Sequence, residues 1–253
     1  MKFLRVIPVA LVLMLATFPS PALAQAAQQG LTLDLTGGGQ MTERLIQIIG
    51  LITILSLAPS ILIMMTCFTR IVVVLSLLRT AIGIQQSPPN SVIVSLALFL
   101  TLFVMAPTIS EINTTAMQPL ISEQITTEEA LTRAESPVKK FMAAHTSVAD
   151  LGLFVTMAQA APPETVEAAP LQALIPAFML SELKRGFEIG FLLFVPFLII
   201  DMAIASILMS MGMMMLPPIV ISLPFKLIFF VLVDGWRLVA GSLVASYGVG
   251  AGP

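Results

Sequence analysis

Charge is scarce in this sequence. Only 10% of its 253 residues are Asp, Glu, Lys or Arg, against about 25% in a typical soluble domain. The net charge of −2 leaves no basic field for nucleic acid. One tryptophan and one tyrosine supply no stacking platform for bases. The single cysteine, Cys67, excludes an internal disulfide and any cysteine-rich metal site. Set in an apolar run, it reads as a small buried hydrophobe. The single histidine, His145, falls on an amphipathic stretch and is expected to be solvated. No Ser-His-Asp arrangement, HExxH or CxxC occurs. The one glycine-rich stretch, Gly37-Gly38-Gly39, lacks the Lys-Ser/Thr of a phosphate loop. Neither an enzyme nor a bound metal or cofactor is expected.

What is abundant is apolar. Hydrophobic residues make up 57% of the chain, and its mean hydropathy is +1.01. Such a chain belongs in a bilayer or inside an apolar assembly. Residues 1–24 read as a cleavable signal peptide. Lys2 and Arg5 precede the apolar run 6–18, and Ala22-Leu23-Ala24 offers a small-x-small site, which predicts cleavage between Ala24 and Gln25. Residues 25–44 read as a flexible leader.

Residues 45–112 are expected to form a first apolar helical hairpin, bent at Pro88-Pro89. Its first apolar block, residues 45–78, would measure about 50 Å as one helix, more than a hydrocarbon core of about 30 Å. Residues 113–185 are expected to form a charged, amphipathic helical segment on the periplasmic side. There Thr126 and Glu129 offer a capping box, and Ser136-Pro137 offers a second helix start. The helix predicted over 137–159 places Phe141, Ala144, Val148, Leu151 and Val155 on one stripe. A proline-marked linker over 162–170 follows. Residues 186–247 are expected to form a second apolar hairpin, bent at Pro217-Pro218, with a methionine-rich loop at 209–218 and a tail at 248–253. The two Pro-Pro bends form a weak internal repeat. A cleaved signal places both bends inside the cell and the charged middle outside, so Lys184 and Arg185 offend the positive-inside rule.

Charges inside apolar blocks require partners. Asp201 costs at least about 2.5 kcal/mol in hydrocarbon. In an antiparallel hairpin Lys226 lies opposite it, and Glu188 lies near Arg237 in almost the same register. Two opposite-charge pairs suggest a structural clamp. An ion relay through Asp201, or a reach of Lys226 to Glu182 on a neighbouring copy, is the alternative. Asp234 and Arg237 also form a possible i,i+3 pair. Arg70 has no mate within its own hairpin.

Two stretches carry a resemblance. PAFMLSELKRGFEIGF (residues 176–191) and PFKLIFFVLVDGW (residues 224–236), together with GMMMLPP at the second bend, closely resemble the signature motifs of the FliP family. These are membrane components of the bacterial flagellar type III export apparatus. The matching signature residues are Pro176, Phe187, Gly190, Pro224, Phe225, Gly235 and Trp236. The resemblance implies an all-α subunit that assembles in several copies with FliQ-like and FliR-like partners, alongside FlhA/FlhB-like components. It implies a closed helical export gate in the bacterial inner membrane at the flagellar basal body, passing unfolded flagellar proteins and performing no chemistry. It implies that Met209, Met211, Met213, Met214 and Met215 face the pore as a gasket. Unbranched, flexible, apolar side chains can seal against ions and then deform around a passing chain. Asp201, Lys226, Glu182, Glu188, Asp234 and Arg237 are then assembly or structural charges. The rival reading is a stand-alone secondary transporter using Asp201 and Lys226 as a relay.

Overall fold

The structure is a computed structural model. It describes residues 45–46, 48–50, 52–53, 56, 60–61, 63–84, 87–213 and 216–248. The expected signal peptide with its Ala24-Gln25 cleavage site, the leader, Met214, Met215 and most of the tail lie outside the described residues. Two units divide the chain at Leu57. In the first, the described positions between 45 and 56 are helical. All that follows concerns the second.

Every described element is helical. α1 spans Phe68–Ile82 and stops at Gly83, whose φ of 92° closes the helix with an N–H bond to the Thr80 carbonyl. Its buried side is Ile71, Val74, Leu75, Leu78 and Ile82, the i, i+3, i+4 spacing of a helix face, with Arg70 and Ala81 beside them. α2 spans Asn90–Ile112 and is preceded by Pro89. A π-helical stretch, Asn113–Met117, carries it into the short α3, Gln118–Ile121.

α4 spans Thr127–His145 and opens with the capping box expected at Thr126 and Glu129. The second start expected at Ser136-Pro137 does not occur, because the upstream cap has already nucleated the helix and Pro137 lies inside it. Nor does one helix run over 137–159. The backbone turns extended at Thr146, at φ −94° and ψ 133°, and α5, Val148–Met157, begins afresh. That break rotates the apolar stripe. Leu151 and Val155 are buried, but Ala144 and Val148 face outward, and Met142 and Ala143 take the inner positions.

α6 is a single helix of 40 residues, Leu171–Ser210, or about 60 Å at 1.5 Å per residue. The boundary expected at 185/186 falls inside it. The polar run Glu182–Arg185 changes the surface that the helix presents without breaking its backbone. α7 spans Pro218–Leu232 and α8 spans Gly235–Ala245, with a 61° bend between them.

Two cores hold the unit together. One is built on α1, with Ile71, Val74, Leu75 and Leu78 packed on Ala97 and Val104 of α2, Phe197 of α6, Phe230 of α7 and Leu243 of α8. The other joins Met142 of α4 and Leu151 and Val155 of α5 to Ala173, Leu174, Ala177 and Phe178 of α6. Two described helical runs are long and apolar enough to cross a membrane, Asn90–Ile121 and Leu171–Ser210, and the bent α7–α8 pair makes a third if counted as one. Only 11% of the most apolar stretch of Leu171–Ser210 is buried, so most of that surface stays open to lipid or to other chains.

Candidate functional site

The methionine loop is shaped by its ends. α6 terminates in a Schellman motif: the Met213 N–H bonds to the Leu208 carbonyl at 3.0 Å and the Gly212 N–H to the Met209 carbonyl at 3.1 Å. Gly212 supplies the required left-handed backbone at φ 73°. On the far side Pro217 caps α7 and Pro218 occupies its first turn. The loop is therefore fixed at both ends. Met209, Met211 and Met213 are all exposed.

Behind the loop, α6 and α7 are joined by charge. Lys226 Nζ lies 2.6 Å from Asp201 Oδ2, and Ser222 donates its hydroxyl to Asp201 Oδ1 at 2.5 Å. The ammonium also donates to the Ala81 carbonyl at 3.4 Å. That carbonyl belongs to the last turn of α1, where the helix dipole favours a cation and carbonyls lack helical partners. One lysine thus joins three helices. Asp201 and Lys226 face each other as the antiparallel register requires.

The Glu188–Arg237 pair does not form. Both side chains are exposed, and Arg237 instead lies 3.9 Å from Asp234 across one turn of α8. The reason is the bend after Leu232. Asp234 adopts a left-handed backbone at φ 50°, and the chain leaves the antiparallel line before reaching Arg237. Gly235 makes the bend possible, since a Cβ there would sit 2.1 Å from the Phe230 ring. Trp236 then stacks edge-on against Phe230 with ring centroids 5.3 Å apart.

The other signature residues sort by face. Pro176 lies within α6 and Pro224 within α7. Phe187 and Phe225 point outward. Gly190 is a contact residue: a Cβ would fall 2.2 Å from Leu77 Cδ1, so glycine lets α1 and α6 approach closely. Gly186 lies one turn earlier on the same seam, against Val73 and the Arg70 backbone.

Arg70 and Glu182, 1% and 0% exposed, form an ion pair between α1 and α6. Glu182 also accepts a bond from the Tyr247 hydroxyl at 2.5 Å. The Arg70 guanidinium covers the Tyr247 ring at 4.0 Å and donates to Ser246 Oγ at 3.2 Å. The reach of Lys226 to Glu182 on another copy is therefore replaced by Arg70 within the chain. Pattern reasoning on each hairpin alone missed this pair. Its signal was an unmated arginine in one apolar block and a glutamate in another. Tyr247 had no sequence signal beyond being the chain's one tyrosine.

His145 is not solvated as expected. Its ring lies 4.8 Å from Phe141 and 4.9 Å from Tyr247, and Nε2 is buried without a partner. Burial, then the charges of Arg70 and Arg185, push its pKa down to about 4, because an imidazolium there would be desolvated beside two cations. Among the described residues no three His, Cys, Asp or Glu side chains converge to hold a metal.

A family model described as FliP family matches residues 51–243. The chain belongs to the FliP family. A protein from Caulobacter vibrioides named flagellar biosynthetic protein FliP is 60% identical over 237 residues, which cover 94% of this chain and 88% of that protein. Relatives of the same name from Bacillus subtilis and Aquifex aeolicus are 56% and 55% identical, over 80% and 83% of this chain and 91% and 89% of their own lengths. Both quoted signature stretches lie inside the FliP match, as do the methionine loop, Arg70, Glu182, Asp201 and Lys226. Tyr247 lies just beyond it. The role that family membership assigns is in flagellum biogenesis and protein export, and the apolar helices suit a membrane protein.

Proposed function

We propose that this chain is a subunit of the flagellar type III export gate, with its methionine loop as the seal of a central passage. In this reading several copies and FliQ-like and FliR-like partners cover the open faces of α6 and α7. FlhA/FlhB-like components adjoin the gate in the bacterial inner membrane. Unfolded flagellar proteins pass through, and no bond is made or broken by this chain.

The observation that carries the reading is the form of the loop. Exposed methionines stand on a tip braced by a glycine-closed helix end and two prolines, with apolar helices on either side that remain largely uncovered. A core-filling role for methionine would bury these side chains. Asp201 has both oxygens engaged, by Lys226 and Ser222, which favours a clamp over an ion relay. Replacing Met213, Met214 and Met215 with Ala should raise small-ion leakage through the assembled complex in cells, with assembly intact. Unchanged leakage through an intact complex would defeat the seal.

A further inference from the structure

Tyr247 is the point where four helices meet. It follows α8 and is 8% exposed. Arg70 of α1 lies over its ring, and Glu182 of α6 accepts its hydroxyl. Phe141 of α4 stacks on it at 6.2 Å and 20°, and His145 of the same helix tilts against it. Ser246, its neighbour, holds the other end of the Arg70 guanidinium. The cage is built for this ring, since both charged groups would lose a partner without it.

The rest of α8 is lightly held. Only Gly235, Val239 and Leu243 of its 11 residues are buried. At its start the chain bends by 61° through Asp234, a non-glycine residue in the left-handed region. A helix that leaves a strained bend and shows most of its surface to the outside is an arm. Its far end is held by Leu243 in the α1 core and, beyond it, by the polar cage around Tyr247.

We propose that α8 is a hinged arm and that Tyr247 is its catch. Closed, the catch completes the hydrogen bonding of Glu182 and shields the Arg70 ion pair. Open, the arm uncovers the apolar cleft between Ile189 and Leu193 of α6 and Val239 and Leu243 of α8, and leaves Glu182 with Arg70 alone. The contacts lie within one chain, so the catch does not rest on the export-gate reading.

Amide hydrogen exchange on the full chain in detergent tests it. In the unaltered protein the amides of α8 should exchange through a local opening, at lower denaturant than those of α1 and of residues 171–190 in α6. Loss of a hydrogen bond to a charged group corresponds to roughly tenfold or more in an opening equilibrium. Tyr247→Phe should therefore speed exchange in α8 by about that factor, and Tyr247→Ala by more, while α1 and α6 change little. Equal protection of α8 in wild type and Tyr247→Ala overturns the catch. So does a uniform loss across all helices, which would make Tyr247 an ordinary core residue. Should Tyr247→Ala fail to fold, the unaltered protein still decides: exchange of α8 together with α1 in one global step refutes the hinged arm.

Discussion

The two halves of α6 are stabilised in opposite ways. Eight residues of its first twenty positions are buried: Ala173, Leu174, Ala177, Phe178, Ser181, Glu182, Gly186 and Gly190. From 191 to 210 only Phe197 and Leu208 are. The first half is enclosed by α1, α4 and α5. The second lies against α7 and meets the α1 core through Phe197, and is otherwise largely open, with Phe191, Leu192, Ile199 and Met202 exposed. One helix thus serves two solvents. Its enclosed half can place a full ion pair in the interior because Tyr247 engages the second Glu182 oxygen and Ser246 accepts from the Arg70 guanidinium, although Arg70 Nε is left without a partner. Its open half keeps an ion pair only on the seam with α7, where Asp201 remains one-third exposed.

The sharpest way to break this contrast is at Glu182. Glu182→Leu strands the Arg70 guanidinium and should cost about 3–5 kcal/mol, read as a drop in unfolding free energy in detergent. Pairing it with Arg70→Met should restore most of the loss, because two apolar side chains of similar volume remove both charges. Next in size is the open half. Asp201→Asn should cost about 1–3 kcal/mol, less than Glu182→Leu, since solvent screens part of the interaction. Charge reversal at both positions should recover only in part, as a carboxylate at position 226 would then face the Ala81 carbonyl that Lys226 now satisfies.

A smaller effect follows from His145. The unfolded imidazole takes up its proton near 6.5, the folded one only near 4. Between those values the unfolded state binds more protons, so stability is fully present above about pH 6.5 and falls as the pH drops towards 4. The groups facing the ring are Arg70 from α1, Arg185 from α6 and Tyr247 beyond α8. His145→Gln should flatten the slope of melting temperature against pH across that window. An unchanged slope would place the ring in water. Smallest of all is Arg237→Gln, which should leave stability unaltered within error, since both members of the Asp234–Arg237 pair are mostly exposed.

Much of the architecture was legible along the chain. The capping box at Thr126, the linker before α6, both Pro-Pro bends and the facing of Asp201 and Lys226 all follow from local rules of capping, proline geometry and antiparallel register. The errors fell where a local signal was overruled at a distance. Ser136-Pro137 reads as a start, but an established helix ran through it. Glu188 and Arg237 share a register only while the second arm of the helical hairpin stays straight, and the Asp234–Gly235 bend ends that. His145 looked solvated because its own helix is amphipathic, whereas Phe141 and Tyr247 enclose it from two directions.

What the residues alone determined is the chemistry of the surfaces: an apolar chain, helical over the described residues outside its turns and linkers, with a methionine-bearing bend. Those properties depend on side-chain type and near-neighbour spacing, which a linear order carries in full. Folding alone decided which charges meet across separate hairpins. Arg70, Glu182 and Tyr247 are far apart in sequence, and nothing in their own segments links them. Only the close approach of α1 to α6, eased by Gly190 against Leu77, and the return of α8 bring their opposite charges and hydrogen bonds into one dry space, where an unpaired charge would be too costly.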